Sequence, residues 1–386
     1  MSRGLTRTNL KLLAVLVCLL GIMSGCPGRP GTTHDIDRGA STAPSATPAS
    51  EGKGVSKRVA DVKPGTEITS LALSPDTQTL LISIRPNSRT PGTALTRLSS
   101  LYLASRPNRR WQLVDHSWSY FFRPVFTPDG KALLYMPETP PESIARRELD
   151  SGRTQVVYTA PAGWRVLGGD LSPSGKHMVI ATTTEPAGRS DQWKVTLVDL
   201  GSTAKQDPRT GAALSLSSPL WSPDSARVVW LETGTDTNAT TDLRMLDTSS
   251  GSVSPVARDC DGVRRGSWAP DSRRLATFRM GRDREGIYVV DVAHGQLERI
   301  VPLGPGELDF GAGCPWSPDG NWIAFATMTH DSGADLFALK VASPATKEVK
   351  TVLGPAAGAI ESLMWTPHGK LLFVRGGTSV EIVSLQ

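Results

Sequence analysis

A short proline-containing motif recurs seven times along this sequence, and this repetition constrains the fold more than any other feature. The copies are Ser74-Pro75-Asp76, Thr127-Pro128-Asp129-Gly130, Ser172-Pro173-Ser174-Gly175, Trp221-Ser222-Pro223-Asp224, Trp268-Ala269-Pro270-Asp271, Trp316-Ser317-Pro318-Asp319-Gly320 and Trp365-Thr366-Pro367-His368-Gly369. Successive prolines lie 45 to 53 residues apart. A steady period of this length is typical of a propeller or another repeat array, because one repeat cannot bury its apolar face alone.

Each copy of the motif has the chemistry of a tight turn between two strands. An apolar residue, often Trp, precedes the turn, and proline fixes φ at its first corner. The Asp carboxylate accepts hydrogen bonds from backbone N–H groups two residues further on. A mostly apolar run follows at once, which predicts a middle strand packed on both faces. These runs are Leu80–Ile82, Leu133–Tyr135, Met178–Ile180, Val228–Trp230, Leu275–Phe278, Trp322–Phe325 and Leu371–Val374.

Further apolar runs follow the middle strand in most repeats, such as Leu101–Leu103 and Gln112–Val114 in the first repeat. Four short antiparallel strands per repeat make one propeller blade. The composition agrees, since 37 glycines, 29 prolines and only 20% charged residues are typical of many short strands and turns. We therefore predict an all-β, seven-bladed β-propeller with four-stranded antiparallel blades.

The last repeat has only three predicted strands of its own. They are Glu361–Trp365, Leu371–Val374 and Ser379–Leu385. The segment Lys57–Val62 precedes the first repeat, and we predict that it is the missing fourth strand. An N-terminal strand that joins the last blade closes the ring and removes an exposed sheet edge.

The seven motifs resemble the TolB-type, WD40-like repeat, whose consensus is close to W-S-P-D-G followed by an apolar strand. The resemblance covers about residues 56–386 and implies a β-propeller. TolB itself has six blades and a separate N-terminal α/β domain. The present chain has seven motifs instead, so the resemblance does not extend to the partners of TolB.

The N-terminal segment has the features of an export signal. An apolar run, Leu12–Met23, is too short to span a bilayer, and it follows the basic residues Arg3, Arg7 and Lys11. The small residues Ser24 and Gly25 before Cys26 resemble the lipobox of bacterial lipoproteins, although Met23 replaces the usual leucine. This resemblance implies cleavage before Cys26 and lipidation of its thiol. The alternatives are an ordinary signal peptide with an incidental cysteine and an uncleaved anchor.

We therefore predict three parts: a lipoprotein signal peptide (residues 1–25), a lipidated Cys26 with a flexible, disordered tether (26–55), and the propeller (56–386). The tether has too few large apolar residues to fold. An exported, monomeric protein anchored in the cell envelope is expected, with its folded domain in the periplasm or outside the cell. Pro27 follows the cysteine, where aspartate favours inner-membrane retention in Gram-negative lipoproteins, so the outer membrane is the expected location in such a cell.

The charge pattern does not indicate a nucleic-acid partner. The formal net charge is +5, and it falls to +2 when the three basic residues of the signal peptide are removed. The arginine pairs are scattered and lie near acidic residues, which indicates a solvated surface rather than a phosphate-binding track. These pairs are Arg109-Arg110, Arg146-Arg147, Arg264-Arg265 and Arg273-Arg274.

The sequence gives no pattern typical of catalysis, a cofactor or a metal site. No two histidines have the close spacing of a helical metal site; they are His34, His116, His177, His294, His330 and His368. The repeats also resemble those of oligogalacturonate lyases, in which histidines from different blades bind a divalent metal. Such a metal-dependent polysaccharide lyase is the alternative function, with His116, His294 and His330 in different repeats. The expected function is instead that of a scaffold that binds an envelope protein or a small ligand.

Two cysteines, Cys260 and Cys314, lie shortly before the fifth and sixth motifs. Disulfides persist in exported proteins, and both residues fall near the start of inner strands in adjacent blades. The sequence leaves open an inter-blade disulfide or two free, buried thiols.

The residues that precede each motif are predicted to line the central channel, because the inner strands end at the motifs. Most are small or apolar, which lets seven strands converge near the axis. Arg123, Asp170, Arg265 and Glu361 are polar exceptions. They form the predicted binding face, since rigid scaffolds present ligand sites on such rims.

Overall fold

The seven proline motifs form the same tight turn in a computed structural model of the chain. In each copy the backbone N–H of the fourth residue donates to the carbonyl of the first, as from Gly130 to Thr127 at 2.8 Å. The fourth residue has a positive φ in every copy, from 58° at Ser272 to 71° at Gly175. Glycine occupies four of these positions, where it adopts the left-handed conformation without a Cβ clash.

Side chains of the motif hold this turn, as the fourth copy shows. The Ser222 hydroxyl donates to Asp224 at 2.5 Å and accepts the backbone N–H of Arg227 at 2.9 Å. The Asp224 carboxylate accepts the backbone N–H of Ala226 at 3.0 Å. Equivalent hydrogen bonds from Thr127 and the backbone lower the pKa of Asp129. The motif is thus a self-contained corner that turns the chain from one strand into the next.

The structure describes residues 56–86, 98–105, 110–118, 122–184, 192–202, 205–212, 215–234, 240–280, 284–304, 306–309, 312–331 and 333–385. All of them belong to one compact unit, Thr42–Gln386. The predicted signal peptide, the Cys26 lipidation site and the tether lie outside these residues. Within the described ranges, no helix has the length and apolar character needed to cross a membrane.

The described residues form 28 strands and contain no helix. In chain order the strands are β1 (Lys57–Asp61), β2 (Thr66–Leu73), β3 (Thr79–Pro86), β4 (Ser99–Ser105), β5 (Trp111–Ser117), β6 (Val125–Phe126), β7 (Ala132–Tyr135), β8 (Ser143–Glu148), β9 (Thr154–Thr159), β10 (Trp164–Leu171), β11 (His177–Thr184), β12 (Gln192–Asp199), β13 (Lys205–Ala212), β14 (Ser215–Leu216), β15 (Leu220–Trp221), β16 (Arg227–Thr233), β17 (Thr241–Asp247), β18 (Val253–Ala257), β19 (Arg274–Arg279), β20 (Gly286–Asp291), β21 (Gln296–Pro302), β22 (Leu308–Asp309), β23 (Ile323–Asp331), β24 (Ala334–Ala342), β25 (Val349–Ala357), β26 (Ile360–Trp365), β27 (Lys370–Arg375) and β28 (Ser379–Ser384).

These strands form seven antiparallel sheets in the described part of the chain, which are the seven predicted blades. In chain order they are β2–β5, β6–β9, β10–β13, β14–β18, β19–β21, β22–β25 and β26–β28 with β1. The first strands of neighbouring sheets contact each other, as β2 contacts β6 and β10 contacts β15. These inner strands therefore surround the propeller axis, and each ends at a proline corner.

Several inner strands are short because proline interrupts their ladder of hydrogen bonds. Pro124, Pro219 and Pro315 lie two or three residues before a corner, and proline has no N–H to donate. In the fifth blade the inner segment pairs only through isolated bridges, Gly262 with Phe278 and Trp268 with Leu275. The inner rim is thus less regular than the middle strands.

The N-terminal strand β1 pairs with β28 and closes the ring as predicted. Lys57 lies opposite Ile382 and Asp61 lies opposite Ser379. Ala60 and Val62 pack against Leu372 and Val374 of the last blade, in a core cluster shared with the first blade. Closure therefore joins both ends of the described chain in one apolar core.

Candidate functional site

Neighbouring inner strands approach one another closely around the axis. Gly168 lies four residues before its corner, and a Cβ added there would lie 2.6 Å from the Ser218 hydroxyl of the next blade. The equivalent positions in the other blades are Ser70, Arg123, Ser218, Arg265, Gly313 and Ser362. Five of the seven positions carry Gly or Ser, so Arg123 and Arg265 are the two large side chains of this ring.

Inner strands carry a bulge a few residues before the corner in three blades. The register shifts between Ile68 and Ser70, between Val166 and Gly168, and between Glu361 and Met364. A bulge adds a residue to one strand and re-aims the side chains beside it. Counted from the corners, these bulges lie at about the same positions as the charged side chains of the inner strands.

Asp170 joins three blades through its carboxylate. One oxygen accepts a hydrogen bond from the Arg265 guanidinium at 2.9 Å, and the other accepts the backbone N–H of Trp221 at 3.1 Å. Asp170 is 9% exposed, whereas the Arg265 side chain is 34% exposed. Burial raises the pKa of Asp170, and the charge of Arg265 opposes that rise. Arg265 therefore reaches from the fifth blade to a buried acid on the third.

Arg123 lies under the electrostatic influence of three charged residues on other blades. Many protein atoms surround its guanidinium and partly desolvate it, although the residue keeps an exposed surface, and the like charges of Arg264 and Arg265 repel it. Together these effects lower the pKa of Arg123 to about 10, and the negative charge of Glu361 opposes them. Arg123 is still protonated at neutral pH, so it contributes a fixed positive charge. Arg123, Asp170, Arg264, Arg265 and Glu361 are called the channel cluster below.

A pocket of about 310 Å³ adjoins the channel cluster. Its walls combine apolar residues of the second and third corners with one ion pair; they are Val125, Phe126, Pro128, Asp170, Leu171, Ser172, Pro173 and Arg265. A concave, mostly apolar surface with a few fixed charged groups is typical of a small-molecule site.

The channel cluster was defined to include the four residues of the predicted binding face, and the structure pairs two of them directly. Asp170 and Arg265 form an ion pair, and Arg123 interacts electrostatically with Arg265 and Glu361. Binding at this cluster stays a prediction. Sequence reasoning missed Arg264, which it treated as part of a solvated pair. Its position beside Arg265, five residues before a corner, was the available signal.

Both cysteines are free and buried, so the inter-blade disulfide is not formed. Cys260 packs with Leu243 and Val263, whereas Cys314 packs in a different apolar cluster with Phe278 and Trp316. Burial raises the pKa of Cys260 to about 11 and that of Cys314 to about 12. The two thiols are therefore protonated core side chains rather than a bridge or nucleophiles.

The chain matches no protein-family model and no curated protein at a significant level. Its fold is similar to that of oligogalacturonate lyase from Vibrio parahaemolyticus, with a TM-score of 0.64, 12% identity, and coverage of 85% of this chain and 93% of the lyase. An oligogalacturonate lyase in complex with manganese gives a TM-score of 0.64 and 15% identity, over 86% of this chain and 93% of that one. TolB from Acinetobacter baumannii gives a TM-score of 0.44 and 16% identity, over 83% of this chain and 64% of that one. The lyase comparisons, at these identities, establish the propeller fold alone.

The three histidines of the lyase alternative do not come together in a metal site in the part of the chain that the structure describes. His116 is on the outer strand β5, where its ring lies 3.2 Å from the Ser100 hydroxyl. His294 and His330 are exposed and contact Asp291 and Asp335, respectively, on their own blades. Among the described residues, no three His, Cys, Asp or Glu side chains are grouped so that they could hold a metal ion.

Proposed function

We propose that this chain is a lipid-anchored binding protein of the cell envelope, with its ligand or partner site at the channel cluster. The observation that carries the proposal is the convergence of charged side chains from four blades beside a mostly apolar pocket. Five of the seven equivalent inner positions carry Gly or Ser, so closure of the ring does not require arginine there. A rigid scaffold with a charged, concave site supports recognition.

The register of β1 supports an anchor on the face of the propeller that carries the corners. Lys57 pairs with Ile382, which pairs with Leu372 just after the last corner. The chain before residue 56 therefore meets the propeller at the face that carries the corners. The pocket is lined by Pro128 and Pro173 of two corners, so it lies towards the same face.

The binding function is tested by affinity capture from envelope extracts with the full chain. Arg123→Glu reverses the charge at the centre of the channel cluster, and we expect it to abolish retention of the ligand or partner that the wild-type chain retains. Arg153→Glu is the matched control, because Arg153 is exposed in the turn between β8 and β9. Retention of the same molecules by Arg123→Glu and the wild type would overturn the proposal.

The lipid anchor is tested by replacing the cysteine of the predicted lipobox. In a bacterial host supplied with radiolabelled palmitate, Cys26→Ser should lose the label and move from the membrane fraction to the soluble envelope fraction. The acyl group is attached to the cysteine thiol, and serine has a hydroxyl in place of that thiol. Cys18→Ser is the control, since Cys18 lies inside the apolar run. Equal labelling of both variants would contradict lipidation at Cys26.

Catalysis is not part of the proposal. The lyase alternative is supported by the fold similarity, but His116 lies on the outer strand β5, His294 in an exposed turn and His330 at the exposed end of the middle strand β23, each on a different blade. Arginine supplies neither a nucleophile nor a general base at neutral pH, and the Asp170 carboxylate is engaged by Arg265. Recognition is therefore the function that these residues support best.

A further inference from the structure

A tight turn in the fifth blade fixes the backbone that carries Arg265. The backbone N–H of Ser267 donates to the carbonyl of Arg264 at 2.9 Å, and the Ser267 hydroxyl accepts the backbone N–H of Arg264 at 2.9 Å. Gly266 lies inside this turn with a φ of 88°, and a Cβ there would lie 2.8 Å from Pro315 of the sixth blade. The turn therefore presents Arg265 from a rigid position, which lowers the entropy that binding to it would cost.

The pocket of about 310 Å³ has the ion pair of Arg265 and Asp170 in its wall, since both residues line it. One guanidinium nitrogen of Arg265 lies 2.9 Å from one carboxylate oxygen of Asp170. The formal charges of the pair cancel, so this wall carries a hydrogen-bond donor beside an acceptor without a net charge. A ligand anion would be attracted by the guanidinium and repelled by the carboxylate, and a cation would meet the reverse pattern. The wall therefore favours an uncharged polar group.

Both members of the ion pair have hydrogen-bonding capacity beyond their contact with each other. A guanidinium group has five N–H donors, and Asp170 accepts one of those of Arg265. A carboxylate has about four lone-pair sites. Asp170 uses one for Arg265, one for the backbone N–H of Trp221 and one for that of Leu171. The pair can therefore donate to one further acceptor and accept from one further donor, and the burial of Asp170 strengthens both bonds because the local dielectric is low.

The edge of a primary or cyclic amide matches this wall. Its oxygen and nitrogen lie about 2.3 Å apart on one edge, so the oxygen can accept from Arg265 while the N–H donates to Asp170. An open-chain secondary amide cannot make both contacts, because its trans geometry points the N–H away from the C=O. The remaining walls are mostly apolar, with Val125, Phe126 and Leu171 among them, and they would cover an apolar group joined to the amide.

We infer that the pocket binds an uncharged small molecule, which presents the edge of a primary or cyclic amide to the Arg265–Asp170 pair and an apolar group to Val125 and Phe126. The inference rests on the proposed binding function and adds the chemical class of the ligand. A volume of about 310 Å³ is sufficient for a small molecule of this kind. The pair also gives selectivity, because a ligand without the amide would cover two polar groups and leave their hydrogen bonds unmade.

The inference is tested by calorimetric titration of the full chain in non-ionic detergent with four probes that share one benzene ring. Benzamide has its C=O and an N–H on one edge, and N-methylbenzamide points its N–H away from its C=O. Benzoate carries a negative charge on the ring and benzamidine a positive one. We expect benzamide to bind at least about tenfold more tightly than each of the other three, with an affinity that added NaCl leaves unchanged. No benzamide binding up to about 10 mM, or equally tight binding of any other probe, would refute the inference.

Two variants assign the binding to the pocket. Val125→Phe enlarges a half-buried side chain of the apolar wall and should weaken benzamide binding about tenfold or more by occupying its space. Asp170→Asn removes the charged acceptor of the ligand N–H and should weaken it by a similar factor. Asp150→Asn makes the same chemical change in the exposed turn between β8 and β9 and should leave the affinity unchanged. Circular dichroism checks that each variant is folded.

The outcomes separate the ligand class from the binding function. Unchanged benzamide affinity in either pocket variant would contradict the inference, since both walls are part of it. If no probe binds to the wild type while Arg123→Glu still abolishes envelope capture, the ligand class is wrong and the binding function stands.

Discussion

Deletion of residues 56–64 is expected to lower the midpoint of thermal unfolding by about 10 °C or more. The deleted segment contains β1, the fourth strand of the last blade. It buries Ala60 completely and leaves Val62 only 9% exposed. The backbone N–H of Val62 donates to the carbonyl of Thr378 at 2.9 Å, and the Ser56 hydroxyl donates to buried Glu381. All of these contacts are lost together.

The magnitude follows from the apolar area that β1 covers. Burial of a Val side chain stabilises a protein by roughly 1.5–3 kcal/mol, and β1 also covers parts of Leu372, Val374 and Val380. The sum is about 5 kcal/mol, which is a large fraction of the 5–15 kcal/mol that is typical of a whole domain. The loss also exposes the edge of β28, so aggregation on heating should increase.

The closure prediction is measured by circular dichroism or differential scanning fluorimetry of the full chain. Deletion of residues 42–50 removes nine residues of the predicted tether and should leave the melting curve unchanged. Ala60→Asp places a carboxylate in the core and should destabilise strongly, whereas Arg58→Asp alters a side chain that is 56% exposed and should have a small effect. A melting curve for the 56–64 deletion that overlays the wild type would disprove the structural role of closure.

The propeller could be predicted from the sequence because its determining features are local. Each corner is specified within six residues: the Ser222 hydroxyl, the Asp224 carboxylate and the backbone of Arg227 satisfy one another without help from distant segments. The number of copies of the motif then predicts the number of blades. The ring closure was predictable for a different reason, since the last repeat lacked one strand and Lys57–Val62 had the matching pattern.

The site could be predicted only in part, because it depends on side chains that meet across the axis. Position relative to the corners located Arg123, Asp170, Arg265 and Glu361, but not the ion pair between the third and fifth blades. Sequence spacing carries no information about how far a guanidinium reaches across a channel. The same limit explains the wrong alternative for Cys260 and Cys314. Both lie near inner strands, yet they face different apolar clusters.

Replacement of Arg265 by methionine is expected to destabilise the protein by about 3 kcal/mol at neutral pH. Asp170 would then be a buried carboxylate without its counter-ion, although the backbone N–H groups of Trp221 and Leu171 would still contact it. Asp170→Asn should have a smaller effect, within about 1 kcal/mol, because asparagine still accepts the Trp221 hydrogen bond and the partly exposed Arg265 is hydrated. The double variant should resemble Asp170→Asn, which gives a coupling free energy of about 3 kcal/mol in magnitude.

The dependence of this destabilisation on pH separates a charge effect from a packing effect. Burial already raises the pKa of Asp170 above its usual value of 3.8, and the loss of Arg265 removes the charge that opposes the rise. A carboxyl group with a raised pKa binds more protons in the folded chain than in the unfolded chain, so stability falls as pH rises from 3.8 through the folded-state pKa. The loss of unfolding free energy in Arg265→Met should therefore be greatest at neutral pH and become smaller towards acid pH, as measured by urea unfolding at each pH.

Arg146→Met removes one partner of an exposed ion pair with Glu148 and should change the free energy of unfolding by less than about 1 kcal/mol at any pH. If the loss of unfolding free energy in Arg265→Met is the same at every pH, Arg265 stabilises the protein by packing and not by its charge. The ion pair with Asp170 would then not form the charged wall of the pocket.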